Sequence, residues 1–323
     1  MVTNNCSLES LAFKRLDDVL KTNRYKLICH IGRGTWGRIY EAEDKYHANS
    51  QVAIKVLDPT ETARKQMKER NIDAFKAMRK EAAPSTLSEK YENIVPRSFE
   101  IDHNGRPFIV TPVYYNFLSD ALCYGGFADL PCSVKNGMHM WLAAKLLRGI
   151  ARGLYEIHSK MKRVHGDLKP NNIALDWWYN PLINDLGTST CATFGRTMSP
   201  RDNMGDINMR AYECFNRGSH PTTESDIYSW AAIAYRIFSG NYPWEKELMS
   251  INNPTEFFKN YGKGNIDCLI KKRVKENIPK GFRQIVQKGL SYSPFSRQHD
   301  GESLLSELEK VIEKQHYPKC ALL

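Results

Sequence analysis

No stretch of this 323-residue chain stays apolar for anything near the ~18 residues that a membrane span needs. Its eight cysteines are scattered and none forms a C-x-x-C pair, which argues against zinc sites and a disulfide framework. Reduced thiols and a cytoplasmic setting are therefore expected. The opening residues, Met1 to Cys6, lack a cationic patch followed by an apolar stretch, so a secretory signal is not expected. Glycine-lysine followed by serine or threonine occurs nowhere, which excludes a Walker phosphate loop. Internal repeats and low-complexity linkers are missing too. What remains, at 41% apolar and 25% charged residues, has the composition of a globular chain with a sizeable core. The net charge of +10 suits acidic substrates, nucleic acid or an anionic membrane equally. The densest basic cluster, Lys271-Lys-Arg-Val-Lys275, has no interleaved aromatic residues. It reads as a solvated charged face, and no specific nucleic-acid partner is expected.

Hydrophobic periodicity divides the chain into four parts. Leu8, Leu11, Leu16, Val19 and Leu20 fall at helical spacing and predict an amphipathic helix in an extension over 1–24. Over 25–113 the pattern is strand-rich, with strands at 25–32, 38–44 and 51–57, a charged helix at 62–83, and strands at 97–102 and 108–113. Over 114–315 it is helical: 138–159 has a strong core-facing stripe, 226–240 is apolar nearly all round, and 281–290 and 302–314 close the region. A short tail, 316–323, completes the division.

The run His165-Gly-Asp-Leu-Lys-Pro-Asn-Asn172 holds a carboxylate, Asp167, an ammonium, Lys169, and a carboxamide, Asn172, in one loop. A second carboxylate follows in Asn184-Asp185-Leu-Gly187. Phosphoryl transfer needs such a set. One carboxylate orients the attacking hydroxyl, a cation meets the γ-phosphate, and an amide with a second carboxylate holds Mg²⁺. A polar turn uses the same residue types, but Asp185 is surplus to it.

Gly32-x-Gly34-x-x-Gly37 would let backbone amides approach an anion. A dinucleotide-binding fold shares the motif but requires a helix after it, whereas a second strand follows here. The third strand carries Val52-Ala53-Ile54-Lys55, in which Ala53 and Lys55 share a face. Lys55 would neutralise α/β-phosphate charge and needs a carboxylate to hold it. Glu81 is the first choice, with Glu69 on the same stretch as the other candidate.

Together these residues resemble the eukaryotic-type protein kinase family over roughly 25–314. The glycine loop, V-A-I-K, catalytic loop, D-L-G, Ala211-Tyr-Glu213, Asp226 and Arg297 occur in the family's order. The resemblance implies an α+β, bilobal fold, with a small antiparallel-sheet lobe and a larger, mainly helical lobe. It implies ATP and Mg²⁺, with Asp167 as catalytic base, Lys169 at the γ-phosphate, Asn172 and Asp185 on the metal and Lys55–Glu81 at the α/β-phosphates. Ile31, Gly32, Gly34, Gly37, Ile39 and Ala53 would surround the nucleotide, with Thr111 as gatekeeper and Val113 offering backbone groups to adenine. Glu213–Arg297 would be a structural ion pair, and Asp226 would brace the catalytic loop. Lys169 resembles the serine/threonine branch, which implies a protein substrate with a Ser/Thr acceptor.

The chain departs from the family pattern at several positions. Gly166 replaces the usual arginine that meets an activation-loop phosphate, which suggests activity independent of such phosphorylation. Asp206 stands where threonine is usual, and its charge near the acceptor suggests basic substrates. Tyr212 replaces proline, and the spacing from Lys55 to Glu81 is longer than usual. Gly166 is also shared with small-molecule kinases of the aminoglycoside or choline type, but these lack the Glu213, Asp226 and Arg297 set. A kinase-fold scaffold usually lacks Lys55, Asp167 or Asp185, and all three are here. The last residues, Cys320-Ala-Leu-Leu323, fit a prenylation box of the geranylgeranyl type and suggest membrane association, with Lys314, His316 and Lys319 as the basic second signal. No sequence feature sets an oligomeric state.

Overall fold

Period-two alternation carries the first part of the chain into strands, and period 3.6 carries the rest into helices. The computed structural model describes residues 20–33, 37–57, 65, 73–82, 91–123, 133–136, 138–188, 190–191, 207–216, 219–251 and 253–315. They form two compact units. One holds the chain up to Tyr91 and Val95–Val113; the other holds Glu92–Ile94 and the chain from Tyr114 on.

In the first unit, β1 (Tyr25–Arg33), β2 (Gly37–Asp44), β3 (Ser50–Leu57), β4 (Ser98–Ile101) and β5 (Pro107–Pro112) pair antiparallel in the order β1-β2-β3-β5-β4. Tyr40, Ile54, Val56, Phe108 and Val110 pack on one face with Leu20, Tyr25 and Ala42. Tyr25 meets Phe108 edge-on at 5.9 Å. On the other face lies α1 (Ala74–Ala82), whose Met78 and Ala82 cluster with Ile109. Arg24 clamps the sheet edge, donating from Nε and Nη2 to both oxygens of Asp44 at 2.9 and 2.7 Å.

The second unit is built on α3 (Met140–Tyr155) and α4 (Thr223–Ser239), both deeply buried. Trp230 on α4 donates its indole N–H to Leu147 O of α3 at 3.1 Å. α4 begins at a Thr222/Ser225 capping box and stops at Gly240, whose φ of 83° suits a residue without Cβ. Short strands follow α3: α2 (Leu118–Leu122) comes directly after β6 (Asn116–Phe117), which pairs with β8 (Ile173–Leu175), and β8 with β9 (Pro181–Ile183). β7 (Arg163–Val164) pairs with β10 (Thr190–Cys191). Four helices, α5 (Glu245–Met249), α6 (Pro254–Tyr261), α7 (Lys263–Asn277) and α8 (Arg283–Gly289), lead to α9 (Gly301–Glu313). α9 runs antiparallel to α3, with Gly301 against Tyr155 and Glu309 bonded to Arg148.

This is the α+β class read from the sequence, with the strand boundaries shifted by a residue or two. The helix predicted to Ser159 stops as a regular helix at Tyr155, and Glu156–Lys160 forms one wider π-turn. The turn is anchored by Glu156, whose carboxylate accepts Glu92 N at 3.1 Å and Asn93 N at 3.2 Å. The basic cluster lies on α7, where Lys271, Lys272 and Lys275 are exposed but Arg273 is not merely solvated. It bonds Glu247 and Pro243 O and sits over the Trp244 ring at 5.0 Å. Among the described residues no helix is long and apolar enough to cross a membrane.

Candidate active site

The residues singled out from the sequence fall into two sets, one per unit. In the second unit, the loop after β7 turns tightly through Gly166, at φ 79°, a conformation in which a side chain is strained. Asp167 then meets Lys169, Oδ2 to Nζ at 2.6 Å. Asn172 Nδ2 donates to Asp167 O at 2.8 Å and to Asp167 Oδ2 at 3.2 Å. The three side chains predicted to act together are thus bonded to one another before any substrate arrives.

The loop is held from below by a buried carboxylate. Asp226, in the first turn of α4, accepts His165 N at 2.7 Å and Gly166 N at 2.9 Å, one on each oxygen. Its Oδ2 also accepts His158 Nε2 at 2.9 Å. Gly301 N donates to the other ring nitrogen of His158, Nδ1, at 2.9 Å, which fixes the ring proton on Nε2. His165 is fixed likewise: Nδ1 accepts Asp167 N at 3.2 Å and Nε2 faces Asn184 O at 3.1 Å. A buried anion satisfied by three donors is a rigid support.

Asn172 and Asp185 are brought together by the backbone. Asn184 N donates to Asn172 O at 2.7 Å, and Ile173 pairs with Ile183 beside it. Asp185 has φ 53°, an uncommon conformation for a side-chain-bearing residue that marks a functional turn. With Asn172 Nδ2 engaged on Asp167, its carbonyl oxygen is the remaining polar end. One carboxylate and one amide oxygen are hard donors that suit Mg²⁺, which keeps several waters and substrate oxygens rather than a full protein cage. Consistently, no group of three or more His, Cys, Asp or Glu able to hold a metal occurs among the described residues.

In the first unit, register places the second set. Lys55 pairs with Ile39 on β2 and Ile109 on β5; Ala53 pairs with Thr111. Directly opposed residues of antiparallel strands share a face, so Ile39, Ala53, Lys55 and Thr111 lie together, opposite the face that carries Tyr40, Ile54 and Val110. Lys55 Nζ meets Glu81 Oε1 of α1 at 2.7 Å, with both side chains largely buried. Ile31 is exposed, Gly32 pairs with Ile39, Gly37 is buried, and Val113 follows β5, half-buried. Gly34, Glu69, Asp206, Cys320, the helix predicted from residue 8 and the segment 192–206 lie outside the described residues.

The description "protein kinase domain" fits residues 25–305 of this chain. The chain belongs to the protein kinase domain family. It is 22% identical over 293 residues to the serine/threonine-protein kinase PrkC of Bacillus subtilis, covering 90% of this chain and 41% of that protein. To the serine/threonine protein kinase OSK3 of Oryza sativa subsp. indica it is 26% identical over 223 residues, covering 69% and 40%. A leucine-rich repeat receptor-like serine/threonine-protein kinase of Arabidopsis thaliana shares 25% over 264 residues, covering 78% and 25%. The matched part is therefore between a quarter and about two-fifths of each of these relatives.

Two further features of the kinase domain are built into its core. Arg297, with a side chain 0% exposed, donates from Nη1 and Nη2 to the two oxygens of Glu213 at 2.7 and 2.9 Å. It also donates to Ser291 O and Glu224 O, so the pair ties three segments together. Tyr212, in place of the usual proline, is the hub of an aromatic cluster. It stacks on Tyr292 at 5.2 Å, meets Tyr228, Trp244 and Phe258 edge-on, and accepts Trp244 Nε1 at 2.9 Å. Burial holds the Tyr212 phenol well above its ordinary pKa and pushes Tyr228 up to about 12, so both stay neutral hydrogen-bonding groups. Sequence reasoning missed His158 and Glu156, whose roles arise from partners far along the chain.

Proposed function

We propose that the chain transfers the γ-phosphoryl group of ATP to a serine or threonine hydroxyl of a protein. The arrangement that carries this reading is Asp167 bonded to Lys169 and Asn172 on a loop fixed by buried Asp226. Asp167 receives the acceptor hydroxyl and draws its proton as the oxygen attacks; Lys169 meets the charge developing on the transferred group. Asn172 and Asp185 would hold Mg²⁺, which supplies charge neutralisation along the phosphate chain. Lys55, held by Glu81, serves the α/β-phosphates, with Ile31, Gly32, Gly37, Ile39, Ala53, Thr111 and Val113 around the nucleotide. The names of the relatives and the presence of Lys169 support the Ser/Thr acceptor.

Radiolabelled ATP and Mg²⁺ with a mixed protein extract, then with sugars and amines, test the reading. Label on protein that disappears in Asp185→Asn supports it; label on small molecules alone overturns it. Two finer readings belong to the same activity. Gly166 supports a rate independent of activation-loop phosphorylation, so replacing Thr188, Ser189, Thr190, Thr193, Thr197 and Ser199 by alanine leaves it nearly unchanged; a hundredfold loss refutes that. Asp206 supports a preference for basic acceptor peptides, read on a peptide array. The scattered thiols support a cytoplasmic setting, and Cys320 supports membrane attachment through a prenyl group, both read by fractionation and mass spectrometry of natively expressed protein.

A further inference from the structure

The turn between β8 and β9 displays Trp177 and Trp178 at 83% and 72% exposure. Surface tryptophans scattered singly need no explanation, but two adjacent ones on a stiff turn form a patch. The turn is stiff because Asp176 closes it. Its Oδ1 accepts Trp178 N at 2.9 Å and Asn180 N at 2.8 Å, and its Oδ2 accepts Asn180 Nδ2 at 2.8 Å. Asp176 O accepts Tyr179 N at 3.0 Å, and Tyr179 stands at φ 60°, where such a hairpin normally has glycine. A third aromatic residue is thus kept beside the pair in a conformation that disfavours it.

The position of this hairpin in the fold points to its occupant. β9 runs along α3 in the same direction: a Cβ at Gly149 would stand 2.5 Å from Pro181 Cγ, and one at Gly153 would stand 2.8 Å from Ile183 Cδ1. Going back from Pro181 into the turn therefore leads towards the N-terminal end of α3. α9 runs antiparallel to α3, from Gly301 at Tyr155 to Glu309 at Arg148, 2.8 Å apart, so its C-terminal end points the same way. That end exposes Lys310 and Lys314, with Glu313 between them. In sequence it leads on to Lys319 and Cys320, within ~25 Å of extended chain from the helix end. Indole rings settle at the headgroup level of a bilayer, and lysines close to them are drawn to anionic lipid.

We propose that the Trp177–Trp178 hairpin, with Lys310 and Lys314, is a docking face for an anionic lipid bilayer. The face is separate from the phosphoryl-transfer residues and stands whether or not that activity does. It gives a prenyl group on Cys320 the second attachment that a single lipid chain requires for stable anchoring. Without the prenyl group, the face binds weakly and reversibly.

The test uses the full chain made without lipid modification, mixed with vesicles of phosphatidylcholine alone or with one third phosphatidylserine. Co-sedimentation gives the bound fraction, and brominated lipids report indole insertion by quenching. The chain and its Cys320→Ser variant are both expected to bind the anionic vesicles and to be quenched. Trp177→Ala/Trp178→Ala is expected to weaken binding about tenfold and remove most of the quenching. Lys310→Glu/Lys314→Glu weakens it about tenfold or more on anionic vesicles only. Melting temperatures of the variants serve as a folding control, since the replaced side chains are exposed. Equal binding by the tryptophan variant, or no binding by the unaltered chain, overturns the proposal. So does a concentration-dependent dimer that the tryptophan variant abolishes while vesicles are ignored, which would make the patch a contact between copies.

Discussion

Replacing Asp226 by asparagine keeps the size of the side chain and changes only its hydrogen-bonding pattern. The carboxylate accepts three donors: His165 N and His158 Nε2 on one oxygen and Gly166 N on the other. An amide has a single oxygen. Its least costly orientation keeps His165 and His158 on that oxygen and turns the NH₂ towards Gly166 N–H, donor against donor at 2.9 Å. Leaving a buried N–H unsatisfied costs ~1–3 kcal/mol, and the two remaining bonds lose their charge assistance. The sum is about 2–4 kcal/mol, a large part of the stability of an ordinary domain. Denaturant unfolding followed by indole fluorescence suits the measurement, because Trp230 and Trp244 are buried in the same unit. The loop carrying Asp167 should loosen too, lowering kcat at least tenfold while the KM for ATP moves little. His158→Ala removes one of the same donors, so the double variant should lose less than the sum of the single losses, by about 1 kcal/mol or more. A change within ~0.5 kcal/mol in Asp226→Asn, or strict additivity with His158→Ala, refutes the bracing role.

Glu81→Gln keeps the shape of the Lys55 partner but removes its charge. kcat/KM for ATP is expected to fall about tenfold or more in steady-state assays, with the melting temperature nearly unchanged. Tyr212→Phe strips the acceptor from the buried Trp244 N–H at the centre of the aromatic cluster, and chemical denaturation should register a loss of about 1–3 kcal/mol. In the first unit, the Arg24 guanidinium, with help from His47 and Tyr46 N, holds the Asp44 carboxyl well below the usual carboxylate range. A depressed folded pKa contributes stability above the unfolded value and loses it as pH falls through the acid range. Thermal melts at pH 6 and pH 3 should therefore show a smaller acid-induced drop in Asp44→Asn than in the unaltered chain; an equal drop removes Asp44 from the cause.

What the sequence disclosed and what it hid follow from the range over which each feature is determined. Ala53 and Lys55 share a face because strand geometry is local, and the same period placed the core side of Tyr40, Ile54 and Val110. The stripe over 138–159 and the apolar run over 226–240 became α3 and α4 for the same reason. The catalytic loop was legible because five functional demands fall within eight consecutive residues. Glu156 and His158 carry no such mark, since a glutamate and a histidine at a helix end are ordinary until Glu92, Asn93, Asp226 and Gly301 fold against them. Tyr212 looked like a mild departure from proline because its neighbours Trp244, Phe258 and Tyr292 are dispersed along the chain. The same distinction bears on Gly166. Its missing arginine suggests a loss of regulation, yet its φ of 79° is a backbone demand that glycine meets without strain. One residue can thus drop a phosphate contact and relax the loop it sits in, and both effects favour a catalytic loop that is ordered without modification.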